Sequence, residues 1–243
     1  MPHPKRLRIA HLYADEMNIY GDRGNILTLV KRAEWRGIPV DVVPVGRGSA
    51  PELEGFDLLF WGGGQDRDQR LVFADLTAHK AEGIRAAVER GAVVLAVCGG
   101  YQLLGNYYVT ADGEKLPGLG LLDLHTVPGP RRNIGNVVID AGRLGITPPT
   151  LVGFENHSGK TYLGPGLLPL GRVIRGTGNN GEDGTEGVAI GNVFGTYLHG
   201  SLLPKNPQLA DLLLSRALGE TLPPLDATVE LAAHAMVAAR VLR

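Results

Sequence analysis

Residues 92–104 read AVVLAVCGGYQLL, and this stretch sets the architecture of the chain. The apolar run 92–97 predicts a buried parallel strand, Gly99 and Gly100 predict a tight turn, and the residues from Tyr101 onward predict the first turn of a helix. A cysteine at such an elbow is held out of the sheet, beside backbone N–H groups and the positive end of a helix. We therefore expect Cys98, the only cysteine, to supply a thiolate nucleophile; the alternative is an inert buried thiol.

The first half of the chain alternates between strand and helix patterns. Further strands are predicted over 7–13, 40–45 and 58–61, and helices over about 24–35 and 69–90. Such alternation implies an α/β fold with a doubly wound, mostly parallel sheet and right-handed crossovers. Ligands bind at the carboxyl ends of the strands in such folds, where the glycines of 62–64 and Cys98 both fall.

After residue 106 the pattern changes to short strands joined by Gly, Pro and Asn turns, which predicts an antiparallel extension. Strands are expected over 121–127, 133–141, 150–155, 171–175 and 187–198, and helices over 207–218 and 227–242. No internal repeat or low-complexity linker divides the chain. We therefore expect a single domain over 1–243, with a core of about 7–218 and a C-terminal helical tail of about 222–243.

The composition excludes several classes of protein. The chain has 243 residues, of which 44% are hydrophobic, so it is long enough to bury a substantial core. Its net charge of −1, with acids and bases interspersed, argues against a nucleic-acid-binding surface. One cysteine excludes an internal disulfide framework, no apolar signal segment follows residues 1–6, and no stretch approaches about 18 apolar residues. We therefore expect a cytoplasmic protein without a membrane span.

Two matches to nucleotide-binding motifs in the second half are rejected. Residues 176–181 fit the pattern GxGxxG, but EDG at 182–184 follows instead of an apolar helix, so we expect a turn between two strands. The segment 153–161 resembles a phosphate-binding loop with one residue too many, and Gly164-Pro165 cannot open the helix that such a loop requires. We expect no nucleotide, metal or other cofactor site in this chain.

A thiol nucleophile needs a base, and His199 is the best placed of the seven histidines. It follows the predicted strand segment VFGTYL of residues 193–198, and Gly200 after it leaves room for the ring at the strand end. His157, which follows Phe154-Glu155-Asn156, is the second candidate. The alternative for such a histidine is a solvated loop side chain.

Four segments together resemble the class I glutamine amidotransferases. They are GGGQD at 62–66, AVCGGYQ at 96–102, GFENH at 153–157 and GTYLHG at 195–200. Within that superfamily they are similar to the cobyric-acid-synthase-type branch, which has a cysteine elbow, a glycine-rich loop and a late Tyr-x-His-Gly. The segments MNIYGDRGN at 17–25 and RRNIGN at 131–136 further resemble the glutaminase subunit of lipid II isoglutaminyl synthase. The resemblance covers about residues 7–218.

The resemblance implies a reaction for these residues. Cys98 would attack the side-chain amide of L-glutamine to give a γ-glutamyl thioester and ammonia, with His199 as general base and acid. The backbone N–H of Gly99, together with that of Gly63 or Gly64, would stabilise the oxyanion.

The resemblance also implies a glutamine pocket. Arg132 would hold the α-carboxylate of glutamine by a bidentate contact, with the neighbouring Arg131 as an alternative. Gln102, Asn156 and His157 are expected to line the same pocket.

One position departs from the family pattern. Many class I members carry a glutamate two residues after the histidine to orient its ring, whereas this chain has Ser201 there and no acid over 200–210. In the isoglutaminyl synthases a Mur-ligase-like partner subunit is understood to supply this carboxylate. We therefore expect a heterodimer with such a subunit; if the acid lies in this chain instead, Asp211 or Glu155 is the candidate.

The ammonia needs an acceptor as well. Amide synthesis requires ATP to activate a carboxylate, so ATP and Mg²⁺ are expected on the partner, where the D-glutamate of lipid II would be amidated in peptidoglycan synthesis. Two alternatives stay open. One is the glutaminase component of a corrinoid amidase, disfavoured because those chains usually carry an ATP-binding domain ahead of the glutaminase; the other is a non-catalytic scaffold for the ligase subunit.

Overall fold

The computed structural model describes residues 6–18, 21–49, 51–64 and 66–243, and it contains two six-stranded sheets flanked by helices. Of the residues in the recognised motifs, Ile19, Tyr20 and Gln65 lie outside the described residues. The strands are β1 Leu7–Leu12, β2 Val40–Val45, β3 Leu58–Trp61, β4 Val93–Val97, β5 Tyr107–Val109, β6 Lys115–Pro117, β7 Leu124–Asp140, β8 Thr150–Leu163, β9 Gly171–Arg175, β10 Thr185–Glu186, β11 Val188–Ile190 and β12 Val193–Thr196. The helices are α1 Arg23–Glu34, α2 Asp66–His79, α3 Ala81–Glu89, α4 Gly99–Leu103, α5 Leu202–Lys205, α6 Pro207–Leu218 and α7 Thr228–Leu242.

The first sheet has the order β11-β12-β4-β3-β1-β2, and all of its pairs are parallel except β11 with β12. Its central strand β4 is the VVLAV segment, and every residue of that strand is buried. A continuous apolar run suits a strand that is covered on both faces, as in doubly wound sheets. The predicted α/β fold with a mostly parallel sheet and an antiparallel extension is confirmed.

The single helix expected over about 69–90 is wrong, because the chain leaves the helical conformation at Lys80. This residue has φ −130° and separates α2 from α3. Its side chain is buried, its ammonium forms an ion pair with Asp75, and Nζ lies 5.0 Å from the centroid of the Tyr13 ring. A buried ammonium requires such partners, and the break at Lys80 brings it to them.

The second sheet has the order β10-β9-β7-β5-β6, with β8 paired to β7. The two strands expected over 121–127 and 133–141 form one long strand, β7, with a register shift between Pro128 and Asn133. β8 likewise continues past 155 to Leu163, with buried and partly exposed residues alternating along most of its length. Prolines are tolerated in a strand at a bulge, which is why the Pro and Gly residues of 128–130 did not end it. As a result, Arg132, Asn156 and His157 lie on strands.

The strand expected over 187–198 is divided. Gly191, with φ 53°, lies in the turn between the antiparallel strands β11 and β12, so the segment folds back on itself. β12 then runs parallel to β4, with Thr196 opposite Val97. This pairing places the residues after β12 beside Cys98.

The rest of the predicted elements correspond to observed ones, whereas no element was predicted for β5, β6, β10 or the short helix α5. Residues 176–181 lie between β9 and β10, and Lys160 and Thr161 lie within β8, so neither segment opens a helix as a nucleotide-binding loop would. The helices predicted over 207–218 and 227–242 correspond to α6 and α7. In the described part of the chain, no helix has the length and apolar character needed to cross a membrane.

Candidate active site

Cys98 occupies the turn between β4 and α4 in a backbone conformation that residues other than glycine rarely adopt, with φ 51° and ψ −108°. Hydrogen bonds fix this backbone on both sides. Cys98 N–H donates to Thr196 O at 2.8 Å, and Gln102 N–H donates to Cys98 O at 3.0 Å. Strain of this kind persists where the surrounding structure enforces it, and it is typical of nucleophile elbows. The strand, turn and helix predicted around Cys98 are all present.

His199 lies three residues beyond β12 and is fully buried. Its backbone is held by Phe154 of β8: His199 N–H donates to Phe154 O at 2.8 Å, and Phe154 N–H donates to His199 O at 3.3 Å. Burial lowers the pKa of His199 to about 3, and the nearby His157 and Arg132 add to this effect. The imidazole is therefore neutral at pH 7, which is the form that can accept a proton from a thiol.

Cys98 and His199 meet at Gly63. A Cβ atom at Gly63 would lie 3.0 Å from His199 Cε1 and 3.2 Å from Cys98 Cβ. Both residues therefore approach the position that a side chain at Gly63 would occupy, so a Cβ atom there would crowd the two of them at once. The sequence predicted this pair, and the fold brings it together.

The glycine turn 62–64 packs against the elbow. Gly100 N–H donates to Gly62 O at 3.2 Å, and a Cβ atom at Gly99 would lie 3.1 Å from Gly64 N. The N–H of Gly63, in contrast, is donated to Asp22 Oδ2 at 2.9 Å. Of the two glycines expected to pair with Gly99 as oxyanion donors, Gly63 is thus engaged elsewhere in this structure, and Gly64 is the one placed beside Gly99.

A cleft of about 420 Å³ opens over Cys98. Its lining includes six residues that were expected at the site and three more polar residues. These are Gly64, Cys98, Gln102, Arg132, Asn156 and His157, with Gln69, Tyr108 and Ser158. A volume of this size accommodates an amino acid with its hydration.

Arg132, but not Arg131, faces this cleft. Arg132 Nε donates to Asn156 Oδ1 at 2.5 Å, across the β7–β8 pair. Arg131 lines a separate hollow together with Lys160 and Thr177. The two arginines lie in the stretch of β7 between Pro128 and Asn133 where the register shifts, and they face different hollows. The location favours Arg132 as the carboxylate-binding residue; its role stays a prediction.

The floor of the cleft is a buried hydrogen-bond network centred on Tyr197. Gln102 Nε2 donates to the Tyr197 hydroxyl at 3.0 Å, and Gln69 Nε2 donates to Gln102 Oε1 at 2.6 Å. The His157 ring stacks on the Tyr197 ring with 3.7 Å between centroids and 7° between planes. Its Nδ1 lies 2.8 Å from Gly159 O. His157 is therefore held in the wall of the cleft by Tyr197 and Gly159.

Neither acid of this chain that was considered as an orienter for His199 is placed for that role. Glu155 accepts the N–H groups of Thr177 at 2.9 Å and Gly178 at 3.0 Å, and its Oε2 lies 3.8 Å from His157 Nε2. Asp211 forms a two-pronged contact with Arg32, with both N···O distances 2.7 Å. Both carboxylates are thus engaged with other groups.

Two acids near the site were given no role by the sequence analysis. Glu186 is fully buried and accepts the Tyr197 N–H at 2.6 Å, which holds the chain just before His199; burial raises its pKa to about 8. Asp22 is fully buried as well and holds Gly63. The GDRGN motif at 21–25 contained Asp22, but a single sequence does not show that this segment packs against residues 62–64.

A protein-family model described as the CobB/CobQ-like glutamine amidotransferase domain matches residues 8–207. The chain is 44% identical over 211 residues to the lipid II isoglutaminyl synthase (glutamine-hydrolyzing) subunit GatD of Staphylococcus aureus (strain N315), covering 87% of this chain and 84% of that protein. It is also 44% identical over 217 residues to the subunit of the same name from Streptococcus pneumoniae (strain ATCC BAA-255 / R6), covering 89% and 82%.

A solved structure of PurLQS from Thermotoga maritima has a similar fold. The TM-score is 0.57 at 17% sequence identity, and the match covers 88% of this chain and 96% of that chain. At this identity the likeness concerns the fold alone.

Proposed function

Because this chain belongs to the CobB/CobQ-like glutamine amidotransferase family, we propose that it is the glutamine-hydrolysing subunit of a lipid II isoglutaminyl synthase. The observation that carries the proposal is the approach of Cys98 and the buried, neutral His199 to the same glycine, Gly63, beside a cleft that Arg132 faces. An inert cysteine would need neither the strained elbow nor a neutral imidazole beside it.

The first half of the proposed reaction forms a thioester. His199 accepts the proton of the Cys98 thiol, and the sulfur attacks the side-chain amide carbon of L-glutamine. The tetrahedral oxyanion would be stabilised by the backbone N–H groups of Gly99 and Gly64. The imidazolium of His199 then returns its proton to the amide nitrogen, the C–N bond breaks, and ammonia leaves.

The second half regenerates the enzyme. A water molecule gives up a proton to His199 and attacks the thioester carbon, and the C–S bond breaks to release glutamate and the Cys98 thiol. The α-carboxylate of glutamine would be held by Arg132 throughout, while Gln102, Asn156 and His157 line its pocket.

The ammonia would be used by a partner. We infer that a Mur-ligase-like synthase subunit binds ATP, Mg²⁺ and lipid II, and amidates the D-glutamate of the stem peptide. The name of the relatives, a synthase subunit, supports an assembly of this kind. The same partner would supply the carboxylate that orients His199, since no acid occurs over 200–210. This proposal also implies a cytoplasmic location, where glutamine and ATP are available.

The assignment of the substrate pathway is tested by following the amide nitrogen. The chain and a Mur-ligase-like subunit from the same organism are incubated with glutamine labelled with ¹⁵N in the side-chain amide, ATP, Mg²⁺ and lipid II. We expect one ¹⁵N atom in the stem peptide of lipid II, located by mass spectrometry, only when both subunits are present. Release of labelled ammonia with unlabelled lipid II would support a glutaminase but contradict this acceptor.

The adjacent arginines provide a matched pair of variants. Arg132→Ala is expected to raise the KM for glutamine about 10- to 100-fold, because a charge-assisted hydrogen-bonded contact with a carboxylate contributes about 1.5–3 kcal/mol. Arg131 lies in a separate hollow, so Arg131→Ala should change the KM for glutamine less than about twofold. Initial rates of glutamate release over a range of glutamine concentrations measure both. The reverse order of effects would move the carboxylate site to Arg131.

A further inference from the structure

Asp22 lies beneath the glycine turn next to Cys98. Its side chain is fully buried, and Oδ2 accepts the Gly63 N–H at 2.9 Å. The same oxygen lies 2.5 Å from where a Cβ atom of Gly62 would be, so the carboxylate is in close contact with the backbone of the turn. The proposed reaction steps do not use this group.

Among the described residues, the Gly63 N–H is the one hydrogen-bond donor shown to stabilise the charge of Asp22. Its Oδ1 has no hydrogen-bond partner in the described part of the chain. Burial raises the pKa of Asp22 to about 7, although the Gly63 N–H acts in the opposite direction. Burying a carboxyl group lowers the stability of a fold unless its partners compensate. The hydrogen bond that Asp22 makes in return is the one it accepts from the Gly63 N–H.

The Gly63 N–H belongs to a peptide group in the middle of the active site. Gly63 lies against His199 Cε1 and Cys98 Cβ, while Gly64 N lies against Gly99. Rotation of the peptide between Gly62 and Gly63 would change which N–H group faces the thiol. An oxyanion site needs donors fixed before the charge develops, so an acceptor that prevents this rotation affects the transition state.

The segment that contains Asp22 also contacts the chain just after His199. Ser201 Oγ donates to Gly21 O at 2.7 Å, and Leu203 N–H donates to Asn25 Oδ1 at 2.9 Å. Residues 21–25 therefore touch both the glycine turn and the histidine segment, and Asp22 is anchored relative to the whole site.

We propose that Asp22 is a positioning residue for glutamine hydrolysis: by accepting the Gly63 N–H, it fixes the turn 62–64 so that the N–H groups of Gly64 and Gly99 stabilise the oxyanion. This inference rests on the proposed function. In this role Asp22 acts as a hydrogen-bond acceptor; because His199 Cε1 lies near the same Gly63 position, a variant without the charge must distinguish this role from an effect of the Asp22 charge on the base.

The proposal is tested with two variants of the complex of this chain and its ligase-like partner. Asp22→Ala removes the acceptor and is expected to lower kcat for glutamate release at least about tenfold, towards the 10²–10³-fold cost of losing an oxyanion donor. The KM for glutamine should change less than about threefold, because the turn does not hold the α-carboxylate. Asp22→Asn keeps an acceptor oxygen in the same place and should restore kcat to within about threefold of wild type.

Two controls separate positioning from folding. Asp57 at the other end of the sheet also accepts a backbone N–H, that of Arg8, at 2.8 Å. Asp57→Ala removes this acceptor and should leave kcat for glutamate release unchanged. Alkylation of Cys98 by iodoacetamide needs a thiolate but no oxyanion site, so its rate in Asp22→Ala should equal that of wild type. If Asp22→Ala does not fold, Asp22→Ser, whose hydroxyl is too short to reach Gly63, takes its place.

Each outcome has one meaning. A low kcat in Asp22→Ala with normal alkylation and recovery in Asp22→Asn supports the proposal. Wild-type kcat in Asp22→Ala overturns it, and so does an Asp22→Asn variant as slow as Asp22→Ala, because the charge would then be what matters. A wild-type complex that releases no glutamate would overturn the proposed function itself, which the unsubstituted sample shows directly.

Discussion

Replacement of Cys98 by alanine or serine is expected to abolish glutamine hydrolysis. The thioester cannot form without the thiol, and loss of a catalytic nucleophile lowers turnover by at least about 10³-fold. The fold should survive, because Ser and Ala change the side-chain volume at this 8% exposed position only slightly and replace one non-glycine residue at φ 51° by another. Glutamate release by the purified complex measures the effect.

The control for this prediction is the stability of the variant. The thermal unfolding midpoint of Cys98→Ser should lie within a few degrees of wild type, and the variant should still form the complex with its partner. Glutamate release near the wild-type rate by a folded Cys98→Ala complex would show that the chain hydrolyses glutamine without this thiol, or that the activity comes from a contaminant.

Addition of the ligase-like subunit is expected to raise the rate of glutamate release by about 10²–10⁴-fold over that of this chain alone. Mispositioning of a catalytic histidine by loss of its orienting carboxylate costs about 10⁴-fold in comparable triads. In this chain Ser201 occupies the position two residues after His199, and the carboxylates of Glu155 and Asp211 are bound to other groups. Glutamate release at saturating glutamine, per active site, compares the chain alone with the complex.

The origin of that increase can be separated from assembly. Substitution of the donated carboxylate in the partner by its amide should lower the rate towards that of the isolated chain, while the two subunits still elute together. Equal rates per active site for the isolated chain and the complex would mean that the orienting acid lies within this chain, and the idea of a shared triad would have to be abandoned.

The parts of the fold that could be predicted are those with a strong local signal. The segment AVVLAVCGG encodes its strand, its turn and its cysteine elbow in consecutive residues, and the structure contains all three. The second sheet was harder, because Pro128 and Pro130 are usual strand breakers, and only the pairing with β8 shows that β7 passes through them with a register shift. The break at Lys80 likewise depends on Asp75 and Tyr13, which a helical pattern does not reveal.

The candidate site likewise has residues that the sequence predicts and residues that it does not. Cys98 and His199 were predicted from residue type and position, and Arg132 from the family resemblance; the fold brings the first two to the same glycine, Gly63, and places the third at the cleft over Cys98. Asp22 and Gln69 were not identified, because their contacts with Gly63 and Gln102 join segments separated by 41 and 33 residues. The choice of Gly64 over Gly63 as an oxyanion donor depends on the same contact of Asp22.

Covalent labelling of the complex with a diazoketone analogue of glutamine, followed by mass spectrometry of its peptides, tests the roles of Cys98 and His199 most directly. We predict one adduct per chain, on the peptide that carries Cys98, with a labelling rate that excess L-glutamine lowers and that His199→Ala lowers strongly. The Cys98→Ala complex should take up no label. An unlabelled wild-type complex, or a label on another residue that glutamine does not displace, would contradict the assignment of Cys98 and His199 as the residues that hydrolyse glutamine.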